Sequence, residues 1–398
     1  MKTLSKLQQL SFIIQREFLA ISTSYAVLLV LIGGIFVYGL LYNYMYAPNI
    51  VTDVPIAIVD NSHSELSRNF IRWLDATPQA DVYSQAMDYN EAKEWMKRGK
   101  VQGILYLPHD FEARVFRGDE AVFSLYATTD AFLYFEALQG ASSRVMLAIN
   151  DKYRPDEAVF LPPQGLLAVT MAKPINVEGT ALYNYTEGYG SYLIPAVMII
   201  IIFQTLLMVI GMVTGEEAER NRRPIFSKQS QLNMNLTWRQ ALYNVSGRTF
   251  VYVMLYFIFA LFLLGLLPHF FSIPNIGNGR DIITMMIPFL IGTSFFGLAA
   301  SRYFTDSEAP LLMIAFFSVG YIFLSGVSYP LELMPWYWQA AHYVVPAAPA
   351  VLAFVKLNSM GGDMADIRPE MITLWVQVVV YFLLSLWVFK HKHYRFRL

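Results

Sequence analysis

The sequence predicts an α-helical polytopic membrane protein that carries one α/β domain outside the bilayer. Three observations lead there. Of 398 residues, 56% are hydrophobic and only 15% are charged, whereas a soluble domain carries about 25% charged residues. Six windows free of Asp, Glu, Lys, Arg and His are long enough, at roughly 20 residues each, to cross a hydrocarbon core of about 30 Å. Between the first and second windows the pattern changes to strand-like runs alternating with helix-like ones.

The windows cover residues 24–42, 192–213, 250–267, 282–300, 310–328 and 371–389. The first has an apolar core longer than a signal peptide's and no clear A-x-A site after it, so it reads as a retained span. Lys and Arg in short loops set the orientation, because the cytoplasmic side favours positive charge. With the N-terminus inside, the cytoplasmic pieces hold Lys2, Lys6, Arg16, Arg220, Arg222, Arg223, Lys228, Arg239, Arg248, Arg302, Lys390, Lys392, Arg395 and Arg397. The short outer loops hold Arg280, Lys356 and Arg368. Both termini are then cytoplasmic, and the long segment 47–190 is translocated.

Residues 1–22 form an amphipathic interfacial helix with Leu7, Leu10, Ile14, Phe18 and Ile21 on one stripe and Ser5, Gln9 and Arg16 opposite. Phe12 and Leu19 intrude on the polar side, so a helix on the membrane face and a helix covered by a partner both fit. The first span occupies 23–46. In 47–190, strands are expected at 54–60, 81–87, 101–108 and 121–130. Helices are expected at 62–76, 90–98, shortly after Asp110, and from 132 to 150. The first of these helices should open with a capping box of Ser62 and Glu65. The alternation implies an α/β layer structure and leaves the strand order open. With no cysteine, the domain must be held by its core.

The remaining 191–398 is a membrane domain with five further spans. After the fifth, residues 325–357 are apolar yet interrupted by Pro330, Pro335, Pro346 and Pro349, which rules against one continuous helix. Short helices dipping into the outer leaflet are expected at 330–357, with Trp336, Tyr337, Trp338 and Tyr343 at headgroup level.

Several functions lack their residues. No phosphate-cradling G-x-x-x-x-G-K-[S/T] exists, since Gly99-Lys100 runs into Val101 without an upstream glycine. Ion-coupled carriers place ionisable groups in the bilayer, and the six windows hold none. Gln204, Thr293 and Ser294 are the polar candidates for a pathway, and they read first as bonds between helices. Asp60, His63 and Glu65, like His109, Asp110 and Glu112, sit at turns into helices, where such residues act as caps rather than metal ligands. Neither a hydrolase elbow nor an H-E-x-x-H helix is present. A net charge of −1 without a basic aromatic patch gives no nucleic-acid footprint. Gly211 and Gly215 are spaced as GxxxG.

The stretch GEEAERNRR, residues 215–223, ends the second window. As a solvated helix end with positive-inside anchors, it would use Arg220, Arg222 and Arg223 but leave Glu216, Glu217 and Glu219 without a purpose. As an interfacial helix, its mixed signs would dock complementary charges on a cytosolic partner.

Over essentially its whole length the chain resembles the permease subunit of the type-2 ATP-binding-cassette (ABC) exporter family, in the branch with a large outer domain between the first two spans. The resemblance lies in the six spans, the N-terminal helix, VPIAIVDNSHSELSRNF, VQGILYLPHDFEARVFRG and FLSGVSYPLELMP. Ser325, Gly326, Pro330, Met334 and Pro335 match the family's stretch leading into outer re-entrant helices, and Gly247-Arg248 resembles its Gly-Lys. The resemblance implies that 214–248 is the cytoplasmic coupling segment and that Glu216, Glu217, Glu219, Arg220, Arg222 and Arg223 meet an ATPase subunit. Arg222 to Phe226 stand where the family's E-R-E-x-G-T run has Gly-Thr, and PAAPAV replaces a Pro-Leu-Thr-Tyr-like run. It further implies a multi-pass protein of the bacterial inner membrane that is not itself an enzyme and holds no cofactor, with ATP and Mg on the cytosolic ATPase. A second permease copy or paralogue, membrane lipid and a periplasmic adaptor are the other implied partners. The implied activity is export of a hydrophobic or amphipathic substrate. The alternative is a non-transporting envelope sensor or scaffold with the same fold.

Overall fold

A computed structural model of the chain describes residues 6–47, 50–117, 121–128, 132–153, 188–222, 237–273, 275–304 and 306–391. The chain divides into two compact units, one of residues 1–49 with 181–398 and one of residues 50–180.

The chain enters through α1 (Lys6–Thr23) and α2 (Tyr25–Met45). Helix α1 follows the predicted stripe only in part: Ile14 and Ile21 pack against the core, but Phe18 does not. Ile13, Glu17 and Ile21 turn inward, while Phe18, together with Phe12 and Leu19, stays 58% exposed. The rotation has a polar cause, because Glu17 is drawn inward by partners described below.

In the second unit, β1 (Val54–Asp60), α3 (Glu65–Asp75), β2 (Ala80–Gln85), α4 (Tyr89–Lys97), β3 (Gly103–Leu107), α5 (Phe111–Arg117), β4 (Ser124–Ala127) and α6 (Phe132–Tyr153) follow in turn. The sheet order is β2-β1-β3-β4; β1 pairs in parallel with β2 and β3, and β4 runs antiparallel to β3. Strand β1 reads as a continuous apolar run because helices cover both of its faces. Ile56 and Ile58 pack with Leu105, Leu107, Phe70 and Leu138 on one side; Ala57 and Val59 pack with Ala92, Val101 and Ile104 on the other.

The predicted capping box is displaced by two residues. Asp60 Oδ1 accepts the N–H groups of Ser62 and His63 at 3.0 and 3.1 Å, holding the chain in a turn that carries His63 to φ 47°. The helix can therefore begin only at Ser64. Ser64 Oγ accepts from Ser67 N at 3.0 Å, and Ser67 Oγ accepts from Ser64 N at 3.0 Å.

The membrane unit continues with α7 (Tyr189–Arg222), α8 (Trp238–Phe270), α9 (Gly279–Ala300), α10 (Ala309–Leu324), α11 (Trp336–His342), α12 (Ala347–Asn358) and α13 (Arg368–His391). Helices α2, α7, α8, α9 and α13 are long and apolar enough to cross a membrane, and α11 with α12 form a pair bent by 80°. Helix α10, predicted as a full span over 310–328, has 16 residues. At about 1.5 Å per residue it falls short of a hydrocarbon core of about 30 Å. Its end is set by Ser325, whose Oγ donates back to the Ile322 carbonyl at 2.6 Å, and by Gly326 at φ 83°. Only glycine takes that backbone without strain.

Helix α7 is the centre of this unit, with Ile194, Ile199, Phe203, Leu206 and Ile210 all buried. Helices α2 and α8 each contain a π-helical stretch, at Leu29–Val37 and Phe262–Leu266. The two stretches face one another: the rings of Phe36 and Phe262 lie 4.8 Å apart.

Candidate functional site

The charged end of α7 is where the sequence reading concentrates, and its three carboxylates all find partners within the chain. Glu219 Oε1 accepts from the backbone N–H and hydroxyl of Ser307 at 2.8 and 3.3 Å, fixing the turn into α10. Glu216 accepts from the hydroxyl of Ser24, which precedes α2, and pairs with Arg220 at 3.7 Å. Glu217 Oε2 accepts from Arg248 Nη2 at 2.6 Å, and its Oε1 lies 3.7 Å from Arg16 Nη1.

Arg248 extends this last contact into a buried network. Its side chain is fully buried, with Nε 3.4 Å from Glu17 Oε2 and the guanidinium 5.4 Å from the Phe389 ring. Tyr252 lies one turn further along α8 and donates to Glu17 Oε1 at 2.6 Å. Two cations and two anions thus balance where α1, α7, α8 and α13 converge. In a poorly polar interior such a set is tolerated only when each charge is paired and hydrogen-bonded. Gly247 makes the approach possible, since a Cβ there would come within 2.9 Å of Ile13 Cγ2. The Gly247-Arg248 pair therefore seats α1 with its first residue and ties it with its second.

Gly211 and Gly215 serve an approach within the chain as well. A Cβ on Gly215 would strike the carbonyl of Asp306, and one on Gly211 would meet the ring of Pro310. Glu216, Glu217 and Glu219, which as a solvated helix end would have no purpose, each position a neighbouring element within the chain. Arg220, the cluster's one described basic side chain, projects outward, with 63% of its side chain exposed. The side chain of Arg222 and the whole of Arg223 lie outside the described residues, as do Pro224, Ile225 and Phe226.

The other predicted residues are scattered. Gln204 on α7 donates to the Ser318 carbonyl of α10 at 3.4 Å, linking two helices. Ser294 donates to Leu290 of its own helix at 2.8 Å, and Thr293 beside it is fully buried. Ser325 and Gly326 end α10; Pro330 precedes a single helical turn at Leu331–Leu333, and Pro335 caps α11. The Met334 carbonyl accepts from Gln339 at 2.9 Å. Helix α13 is stitched to the bend between α11 and α12, with Gln377 donating to the Tyr343 carbonyl at 2.8 Å and Tyr381 donating to that of Val344. Trp336, Tyr337 and Trp338 are exposed. In the α/β unit, Asp60 also accepts from Ser67 at 2.8 Å, Glu112 accepts the N–H of Leu66 at 3.1 Å, and Asp110 pairs with Arg114 at 2.6 Å. Each carboxylate is occupied by helix and turn geometry.

Glu17 and Tyr252 escaped the sequence reading. The available signal was the placing of Glu17 four residues from both Ile13 and Ile21, on the same helical face. An acid in the middle of an apolar stripe asks for a buried cation.

No curated protein matches the chain. The ABC-2 family transporter proteins, however, match it over residues 18–387, which takes in α2, the whole α/β unit and nearly all of α13. A chain of several membrane-crossing helices that matches this family almost from end to end is a multi-pass membrane protein of the ABC-2 transporter family.

Proposed function

We propose that the chain is the permease subunit of an ATP-driven exporter, with the charged end of α7 as its coupling element. The observation that carries the reading is the Glu217–Arg248–Glu17 network, because it ties the end of α7 to both α1 and α8. A push on the α7 end would reach both helices together rather than bend one, as a rigid-body change requires. A separate cytosolic ATPase binds and hydrolyses ATP with Mg; this chain brings no phosphate cradle of its own. The outward side of the cluster, led by Arg220, meets that ATPase. Glu216, Glu217 and Glu219 hold the segment in shape from behind.

The working unit pairs two permeases, either two copies of this chain or this chain and a paralogue, in the bacterial inner membrane with both termini cytoplasmic. The α/β unit faces the periplasm, where an adaptor would meet it. Apolar helices suit a lipid, drug or similar amphipathic molecule as substrate.

The test is purification of the full chain in mild detergent with its ATPase. Arg220→Glu should release the ATPase while leaving the permease monodisperse and its melting temperature unchanged. Retention of the ATPase by this variant would remove the coupling assignment.

A further inference from the structure

On the outward face of the bundle, near the end of α13, cations and indole rings form a continuous patch drawn from three parts of the chain. The Arg302 guanidinium, just beyond α9, lies 5.5 Å from the Trp387 ring. Trp387 contacts the His391 ring at 5.1 Å, and His391 contacts Trp238 at the start of α8 at 6.5 Å. Lys390 Nζ lies 5.6 Å from the same Trp238 ring. Among the described residues no carboxylate is within ion-pair distance of Arg302 or Lys390.

We infer that this patch binds the phosphate of an anionic phospholipid, whose acyl chain lies along α13. The stripe leading to the patch supports this occupant. Val376, Val380, Leu383 and Trp387 recur at helical spacing on one face of α13, and all four are exposed. This face is apolar to the level of Trp387 and becomes cationic within one turn, at Lys390. That sequence of apolar chain, amphipathic ring and positive charge is what a lipid presents in reverse, from acyl chain through glycerol to phosphate. A guanidinium lying over an indole also keeps N–H donors at its edge for a phosphate oxygen.

The inward face of α13 ends differently at the same level. There Phe389 meets Arg248, whose charge is already balanced by Glu17 and Glu217. The two faces of one helix end thus divide the labour: the inner cations bind the chain's own acids, and the outer ones have none among the described residues. An acidic segment of a protein could also meet Arg302 and Lys390, but it would leave the apolar stripe beside them unused.

The experiment is native mass spectrometry of the full-length protein with equal amounts of phosphatidylglycerol and phosphatidylcholine. The wild type should retain phosphatidylglycerol preferentially. Arg302→Gln and Lys390→Gln should each lower that preference about fivefold, as expected for one cation near a headgroup. Arg280→Gln, at the opposite end of α9, should leave it unchanged. Trp387→Leu keeps the stripe apolar and removes only the ring, so a smaller loss is expected. Equal retention of both lipids by the wild type, or an undiminished preference in both cation variants, overturns the inference. Unchanged lipid with loss of a co-purifying protein overturns it in favour of a protein contact. Should a variant fail to fold, raising salt on the wild type from about 0.05 to 0.5 M serves instead; a preference that survives it sinks the proposal.

Discussion

The hydroxyl of Tyr252 donates to the carboxylate of Glu17 at 2.6 Å, joining residues 235 positions apart in the chain. The bond places an acid from the N-terminal helix against α8 with Arg248 beside it. It also explains why α1 turns Ile13 and Glu17 inward and leaves Phe18, of the same predicted stripe as Ile21, exposed. The helix orients to satisfy its one buried charge, because an unpaired one would cost more than exposing a phenyl ring to lipid.

Removing the central cation should be severe. Arg248→Met leaves the buried Glu17 and the partly exposed Glu217 to Arg16, at 3.9 and 3.7 Å, and a loss of about 3–5 kcal/mol is expected. Thermal unfolding in detergent would register it as a large drop in melting temperature or as failure to purify. Adding Glu17→Leu and Glu217→Leu should restore much of the stability while abolishing substrate-stimulated ATP turnover. Recovery of both would show the network to be dispensable for coupling.

The Tyr252–Glu17 contact should be measurable as a pair. Tyr252→Phe alone should cost about 1.5–3 kcal/mol, the usual range for a hydrogen bond to a charged group. Once Glu17 is Leu, the same change should cost much less. A double-mutant cycle reads the difference, and additive effects would mean that the two side chains do not cooperate.

Gly215→Ala should disturb the turn into α10, since its methyl would meet the Asp306 carbonyl. Overpacking of this kind costs about 1–3 kcal/mol. It should also separate Glu219 from Ser307, so faster hydrogen exchange at the Ser307 amide is the specific readout. Protection equal to wild type would show that the backbones are further apart than described.

In the α/β unit, the position of the cap separates two serines. Ser64→Ala should weaken the first turn of α3 by about 1 kcal/mol. Ser62→Ala should change it little, because Ser62 donates its hydroxyl to Ser64 and caps nothing. Amide exchange of residues 65–68 in the full chain distinguishes them, with the reverse order refuting the assigned cap.

The strand runs at 54–60 and 101–108 were readable because a buried strand announces itself locally, and the same is true of the long windows that became α2, α7, α8, α9 and α13. Helix α10 was overestimated because hydropathy continues through Ser325-Gly326, while the backbone stops there on account of a hydroxyl bond and a positive φ. The capping box slipped because Ser62 and Glu65 satisfy the spacing rule, whereas Asp60 decides where the turn ends.

The sequence by itself determined the class of protein: apolar length and alternation are properties of neighbouring residues, and they survive without knowledge of any contact. The destination of the charges was decided by tertiary structure. GEEAERNRR displays three glutamates without saying that one reaches Ser24, one Arg248 and one Ser307. Partners so distant along the chain meet only after the helices pack, and it is their desolvation there, absent in any isolated segment, that turns a charged helix end into a joint.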